Sequence, residues 1–147
     1  MIKQLSVFLE NNPGRLAELT RTLGDAGINM RALMVADTAE YGVVRILCDT
    51  PDKAVSVLEG SGFGVSVSEV IAVEVPDRPG GLADVLEALG SEGINVEYAY
   101  CFVEPSGTAA VDIFRVDDPA KAQTTLKMIG VRVAGAADLY SIDVPSI

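Results

Sequence analysis

Residues 5–14 read LSVFLENNPG and residues 71–80 read IAVEVPDRPG, so the same Pro-Gly pair ends both stretches. A shift of 66 positions continues the match, because Leu16 and Ala17 fall on Leu82 and Ala83. The same shift aligns the Gly-Ile-Asn of residues 27–29 with the Gly-Ile-Asn of residues 93–95. Matches in this order at one spacing indicate an internal duplication, and each copy is expected to form the same unit.

The second part of each copy aligns after one small insertion. Pro51 and Lys53 match Pro119 and Lys121 once two residues are added in the turn at residues 105–107. Insertions are tolerated in surface turns, which supports the alignment. We therefore expect two domains, residues 1–69 and residues 70–147.

Each copy reads as strand, helix, strand, strand, helix, strand. In the first copy, Asn12 is expected as an N-cap, with Pro13 as the first helical residue. Leu16, Leu19 and Leu23 follow at helical spacing, and a glycine ends the helix. The second helices are expected to begin at Pro51 and Pro119. This order predicts an α+β protein of two ferredoxin-like βαββαβ domains in tandem, with antiparallel sheets and the helices on one face.

Two further expectations concern the edges of this fold. Residues 139–145 match residues 70–76 in pattern, which predicts an extra C-terminal strand that closes a sheet edge. The strand at residues 98–103 is apolar on both faces. Its second face needs a cover, which a second subunit or the other half of the chain could supply, and this favours an oligomer.

Composition narrows the classes of function. The chain has 11 Lys and Arg against 21 Asp and Glu, a net charge of −10, and no basic cluster to neutralise nucleic-acid phosphates. No apolar run is long enough to span a membrane, so we expect a soluble, cytoplasmic protein.

Histidine is absent, which removes the commonest general base. No residue set has the spacing of a catalytic or metal site, and we expect no catalysis, metal or cofactor. Both cysteines, Cys48 and Cys101, are expected to be buried.

Three features that occur in both copies could bind a ligand. The helix that follows each Pro-Gly loop has free amides at its start, which favour a carboxylate, although an ordinary strand-to-helix turn has the same sequence. Asn29 and Asn95 offer donors and an acceptor to a zwitterion, or to loop backbone groups. Charged residues lie within strands, either as ligand contacts or as ion pairs on a solvated sheet face: Arg31, Arg45, Glu97 and Asp112. The copies differ in these charges, so two sites need not bind equally well.

A strand, an N/D-x-P-G loop and a Leu-rich helix ending in G-I-N together resemble the ACT domain, here twice over nearly the whole chain. The resemblance implies regulatory binding of small ligands, most often amino acids, at the interface between two copies. The Pro-Gly loop of one copy and the G-I-N segment of its neighbour then line the pocket. Asn11 stands where the second copy and many relatives have an acidic residue. The implied ligand-binding residues are Asn11, Asn12, Pro13, Gly14, Arg15, Leu16, Ile28 and Asn29, with Asp77, Arg78, Pro79, Gly80, Gly81, Leu82, Ile94 and Asn95.

Three hypotheses about function follow. The first is a non-catalytic sensor, a homodimer that binds an amino acid and modulates a partner, possibly a metabolic enzyme. The second is a protein-interaction module that has lost its ligand, or a regulatory subunit similar to the small subunit of acetolactate synthase. The third is a small enzyme with the same fold. Loss of turnover on substitution of a single carboxylate residue would support this hypothesis.

Overall fold

The computed structural model describes residues 1–37, 41–103 and 109–140. The first series of elements is β1 (Ile2–Glu10), α1 (Arg15–Asp25), β2 (Met30–Asp37), β3 (Tyr41–Cys48) and α2 (Pro51–Gly60). One continuous strand, β4 (Gly64–Pro76), ends this series and begins the next. The second series continues with α3 (Gly81–Ser91), β5 (Val96–Val103), β6 (Ala109–Val116), α4 (Pro119–Met128), β7 (Val133–Ala134) and α5 (Ala136–Tyr140).

The chain forms two compact units. The first unit is Lys3–Ser68, and the second is Met1–Ile2 together with the described residues of Glu69–Ile147. The strand order is β2-β3-β1-β4 in the first unit and β5-β6-β4-β7 in the second. The assigned pairings in both are antiparallel. Both orders are those of a ferredoxin-like βαββαβ domain, which confirms the predicted fold class.

Each unit has its own hydrophobic core between its sheet and its two long helices. Leu23 of α1 and Leu58 of α2 are fully buried in the first core, against strand residues such as Val7. Their counterparts in the second core, Leu89 of α3 and Leu126 of α4, are equally buried. The repeat in the sequence is therefore a repeat of the packing.

The predicted starts of the second helices are confirmed. Pro51 begins α2 and Pro119 begins α4, where the Asp118 side chain accepts a hydrogen bond from the Lys121 amide at 3.1 Å.

A lysine of each second helix also binds a carbonyl at the end of the first helix of its unit. Lys53 Nζ donates to Ala26 O at 2.7 Å, and Lys121 Nζ donates to Glu92 O at 2.6 Å. Such cations stabilise the carbonyl end of a helix.

The predicted C-terminal strand is wrong at residues 139 and 140, the two of its residues that the structure describes. Leu139 and Tyr140 lie in α5, not in a strand. The Asp138 side chain accepts a hydrogen bond from the Gly135 amide at 2.8 Å, and the Leu139 amide donates to Gly135 O at 3.4 Å. These local bonds favour a helical turn over an extended edge. Residues 141–145 of the predicted strand, and the insertion at residues 105–107, lie outside the described residues.

Two further observations concern side chains and membranes. Cys48 is buried as predicted, but Cys101 is exposed, so the prediction for that residue is wrong. Among the described strands, β5 pairs with β6 alone, so it lies at an edge of the sheet with no described strand beside it to cover its side chains. Within the described residues, every helix is too short or too polar to cross a bilayer.

Candidate functional site

The two Pro-Gly loops turn into their helices in the same way. Gly14 and Gly80 are the N-caps of α1 and α3, at φ 87° and 82°, a conformation that glycine adopts without strain. The predicted Asn12 cap and Pro13 helix start are therefore wrong. The chain first makes a tight turn, in which the Asn12 amide donates to Glu10 O at 2.9 Å. At the start of both helices, no side chain of the described residues caps the first-turn amides.

Most of the implied loop residues are accessible to a ligand. In the first unit, residues 11–14 and Leu16 are exposed and Arg15 is half-buried. In the second, residues 77–80 and Leu82 are exposed, but Gly81 is buried. A Cβ on Gly81 would overlap the Pro76 carbonyl oxygen, and the Gly81 amide donates to Arg78 O at 3.0 Å. Gly81 therefore serves the packing of the loop.

An arginine pairs with a first-turn carboxylate at the start of both helices, from different loop positions. Arg15 Nη1 lies 2.6 Å from Glu18 Oε2, and the guanidinium also stacks 5.1 Å from the centre of the Phe63 ring. Arg78 Nη2 lies 2.7 Å from Asp84 Oδ2. Glu18 and Asp84 were missed as site residues, although the shift of 66 aligns them. Each loop thus combines a guanidinium with uncapped helix amides, which is suitable for a carboxylate ligand.

The G-I-N segments lie far from these loops within each unit. Ile28 and Ile94 are each 5% exposed and belong to the cores, whereas Asn29 and Asn95 are exposed. Helix α1 has 11 residues, which is about 16 Å, and it separates the Gly14 loop from Asn29. The structure therefore does not bring the two predicted parts of a pocket together inside one unit.

Arg45 and Glu97 have partners on neighbouring strands. Arg45 Nη1 donates to Ser6 Oγ at 3.0 Å, and Glu97 Oε2 lies 3.4 Å from Arg115 Nε. Arg31 is half-buried on β2 and also has a partner. These contacts favour the interpretation as ion pairs and hydrogen bonds of the sheet.

Asp112 differs from these charges because its side chain is only 5% exposed. It lies directly between Val73 of β4 and Cys101 of β5, and directly opposed residues share one face of a sheet. Val73 belongs to the core beneath the helices, so this face is the helix side. We call these three residues the second-unit row. Its counterpart, the first-unit row, is Val7, Val44 and Val35.

The Cys101 thiol donates a hydrogen bond to the Asp112 carboxylate. Burial raises the pKa of Asp112, and the bond from Cys101 offsets only part of this effect. Burial also raises the pKa of Cys101, followed by repulsion from the Asp112 charge. Each group therefore resists ionisation in the folded protein.

Asp112 is expected to make the stability of the protein depend on pH. Its pKa is raised above the unfolded value of about 3.9, so the folded state binds more protons than the unfolded state. The free energy of unfolding should therefore fall as pH rises from about 4 to the raised pKa, because the buried carboxylate must ionise. Urea unfolding of the wild type and of Asp112→Asn measures this fall. An identical pH slope in the two proteins would contradict it.

The comparisons with known proteins bear on this arrangement. A family model described as an ACT domain pair matches residues 1–141. No curated protein matches the chain. Within the described residues, no group of three or more Cys, Asp and Glu side chains could hold a metal ion.

Several solved structures are similar to this chain. Protein BT0572 from Bacteroides thetaiotaomicron has 38% identity over 96% of both chains, with a TM-score of 0.89. The ligand-free regulatory subunit of aspartate kinase from Thermus thermophilus has 16% identity over 87% of this chain and 90% of its own, with a TM-score of 0.67. The same subunit from Thermus flavus has 17% identity over the same shares, with a TM-score of 0.65. The similarity to the two Thermus subunits shows that they share a fold with this chain.

Proposed function

This chain belongs to the ACT domain family as a pair of ACT domains, and from that membership we propose that it senses a free amino acid and modulates a partner enzyme. Residues 1–69 and 70–147 are the two domains in this proposal. The observation that carries it is the duplicated Pro-Gly loop, where a glycine is the N-cap, no described side chain caps the first-turn amides, and an arginine pairs with a first-turn carboxylate. These groups are suited to the carboxylate of an amino acid.

The proposal includes a homodimer. Within a unit, the Pro-Gly loop and the Asn29 or Asn95 side chain lie at opposite ends of a helix of about 16 Å. No single amino acid is long enough to contact both. A second copy of the chain can present its asparagine to the loop, and the implied residue set then forms one pocket. The acidic Asp77 is exposed in the second unit and is suited to the ligand's ammonium group.

The proposed partner is an enzyme of amino-acid metabolism. Two of the similar folds are named regulatory subunits of aspartate kinase, and regulation by an amino acid fits such an enzyme. A protein-interaction module without a ligand is the second candidate. It is favoured by Met128 and Ile129, which are 82% and 50% exposed beside the cleft between α3 and α4.

A thermal-shift screen of the full chain against the twenty amino acids tests the sensor function. At a hundredfold excess over Kd, a ligand of the native state adds about 2.7 kcal/mol of stability, which raises Tm by several degrees. Asp77→Ala should weaken the affinity for the amino acid about tenfold, as expected for one charge-assisted hydrogen bond. At the same ligand concentration this roughly halves the stabilisation. Its Tm without ligand should not change, because Asp77 is exposed.

Asn11→Ala is the matched control, since Asn11 occupies the same loop position in the first unit. It removes a polar side chain of similar size without removing a charge. A flat screen with all twenty amino acids would reject the sensor function and favour the interaction module. A response that both variants leave unchanged would reject the role of Asp77.

A further inference from the structure

Each unit leaves apolar side chains exposed on the strand at the edge of its sheet. In the first unit, Leu33 and Val35 of β2 are 44% and 49% exposed. Both lie on the helix side of the sheet, because they pair directly with core residues of β3. Their equivalents at a shift of 66, Ala99 and Cys101 of β5, are also exposed. The helix layer of each unit therefore leaves its edge strand uncovered.

The first helix of each unit lies beside this exposed strip. Helices α1 and α3 each connect an inner strand to the edge strand, so they lie on the edge side of the helix layer. In α3, Ala88 and Ser91 line the cleft towards α4. Leu86 is two positions before Ala88, which is about 200° around the helix. Leu86 therefore faces the β5 side, where it is 38% exposed.

These side chains form two equivalent surfaces, which we call the first edge face and the second edge face. The first edge face is Thr20, Arg21, Leu33 and Val35, and the second edge face is Leu86, Glu87, Ala99 and Cys101. The sizes of the side chains are reversed between the faces. The first has a small residue on its helix and large ones on its strand, whereas the second has a large residue on its helix and small ones on its strand.

The charge is reversed between the faces as well. Arg21 occupies the position that Glu87 occupies in the second unit, and both side chains are exposed. Arg21 Nη1 lies 3.8 Å from Asp25 Oδ1, a long contact between two exposed side chains. Such a pair contributes little, so the guanidinium can still pair with a carboxylate of another molecule.

The position of these residues decides which faces fit each other. Thr20 and Arg21 lie at the middle of α1, and Leu86 and Glu87 lie at the middle of α3. When two surfaces of one fold associate about a twofold axis, equivalent positions near the axis meet. Two first edge faces would bring arginine against arginine, and two second edge faces would bring glutamate against glutamate. A first and a second edge face bring small against large and positive against negative side chains.

We propose that the first edge face of one chain binds the second edge face of a second copy of the chain. This inference rests on the homodimer of the proposed function, and it adds which units of the two copies meet. Leu86 of one copy then packs against Thr20 of the other, and Arg21 pairs with Glu87. The exposed apolar side chains of both faces are covered, as is typical of an interface. The contact occurs twice in a dimer, once for each first unit.

A charge-swap cycle on the full chain tests this contact, with sedimentation equilibrium as the measurement of the dimer dissociation constant. The variants are Arg21→Glu, Glu87→Arg and the double variant. Glu59→Arg is the matched control, because it makes the same change of charge at an exposed residue of α2, outside both faces. The Tm of each variant should match that of the wild type under conditions where both are monomers, since all three side chains are exposed.

We expect each single substitution in the faces to raise the dissociation constant about tenfold, because like charges then meet at both contacts of the dimer. The double variant should return to within about threefold of the wild type, since the two charges have only changed places. Glu59→Arg should have no effect. Salt at about 0.5 M should reduce the differences, because it screens exposed charges.

The outcomes separate this inference from the proposed function. A wild-type dimer that neither single substitution weakens would overturn the contact between unlike faces and leave the homodimer and the sensor function standing. A double variant as weak as the single variants would overturn the contact in the same way. A wild type that is monomeric at every concentration would overturn both the contact and the homodimer, whereas the thermal-shift screen decides separately whether an amino acid binds.

Discussion

Gly81→Ala is expected to lower the free energy of unfolding by roughly 2–3 kcal/mol, at the upper end of the range for overpacking. Gly81 is buried at the first position of α3, and its Cβ would overlap the Pro76 carbonyl oxygen. A backbone atom cannot rotate away as a side chain does, so the turn between β4 and α3 must shift. The same turn carries Asp77 and Arg78, and we expect ligand binding to weaken along with stability.

Gly90→Ala is the matched control for this substitution. Gly90 lies in the last turn of the same helix, and a Cβ there would meet no atom within 4 Å. Alanine has the higher helix propensity, so this variant should be more stable than the wild type by about 0.5 kcal/mol. Urea unfolding measures both changes. Equal effects of the two substitutions would show that Gly81 is not packed against Pro76.

Leu23→Ala and Leu89→Ala should each lower the free energy of unfolding by about 2–5 kcal/mol, as large-to-small substitutions in cores do. The two leucines are equivalent in the repeat, and both are fully buried in the core of their own unit. Each substitution removes apolar contacts and leaves a cavity beneath the sheet. Hydrogen exchange should show the largest loss of protection in the unit that carries the substitution.

Leu16→Ala and Leu82→Ala are the controls for core truncation. These leucines belong to the same two helices but are 39% and 43% exposed, so each should lose less than about 1 kcal/mol. They also belong to the proposed pocket, and their effect should appear in ligand affinity more than in stability. A core variant that unfolds at the same urea concentration as its control would contradict the assignment of that core.

The repeat made most of the fold predictable from sequence. Pro-Gly pairs, helical leucine spacing and proline helix starts are local signals, and they identified α1 to α4 and the antiparallel order. The start of α1 was misplaced because the tight turn at Asn12 depends on a positive φ at Gly14, which a sequence does not display. The strand predicted from residue 139 was wrong because Asp138 caps a helical turn there.

The candidate site was predictable in part. The loop and G-I-N residues were recognisable by their repetition, but their separation along α1 required coordinates. The charge on Asp112 was visible, whereas its burial depends on which strand face it occupies. That face follows from the pairing of Asp112 with Val73 and Cys101, and a shift of one residue would reverse it.

The second-unit row has a consequence for protein engineering. Selection for heat resistance alone would favour Asp112→Val, which places the residue of the first-unit row in the second-unit row and removes a desolvated carboxyl group. Such a variant would also lose the pH-dependent part of its stability that Asp112 contributes.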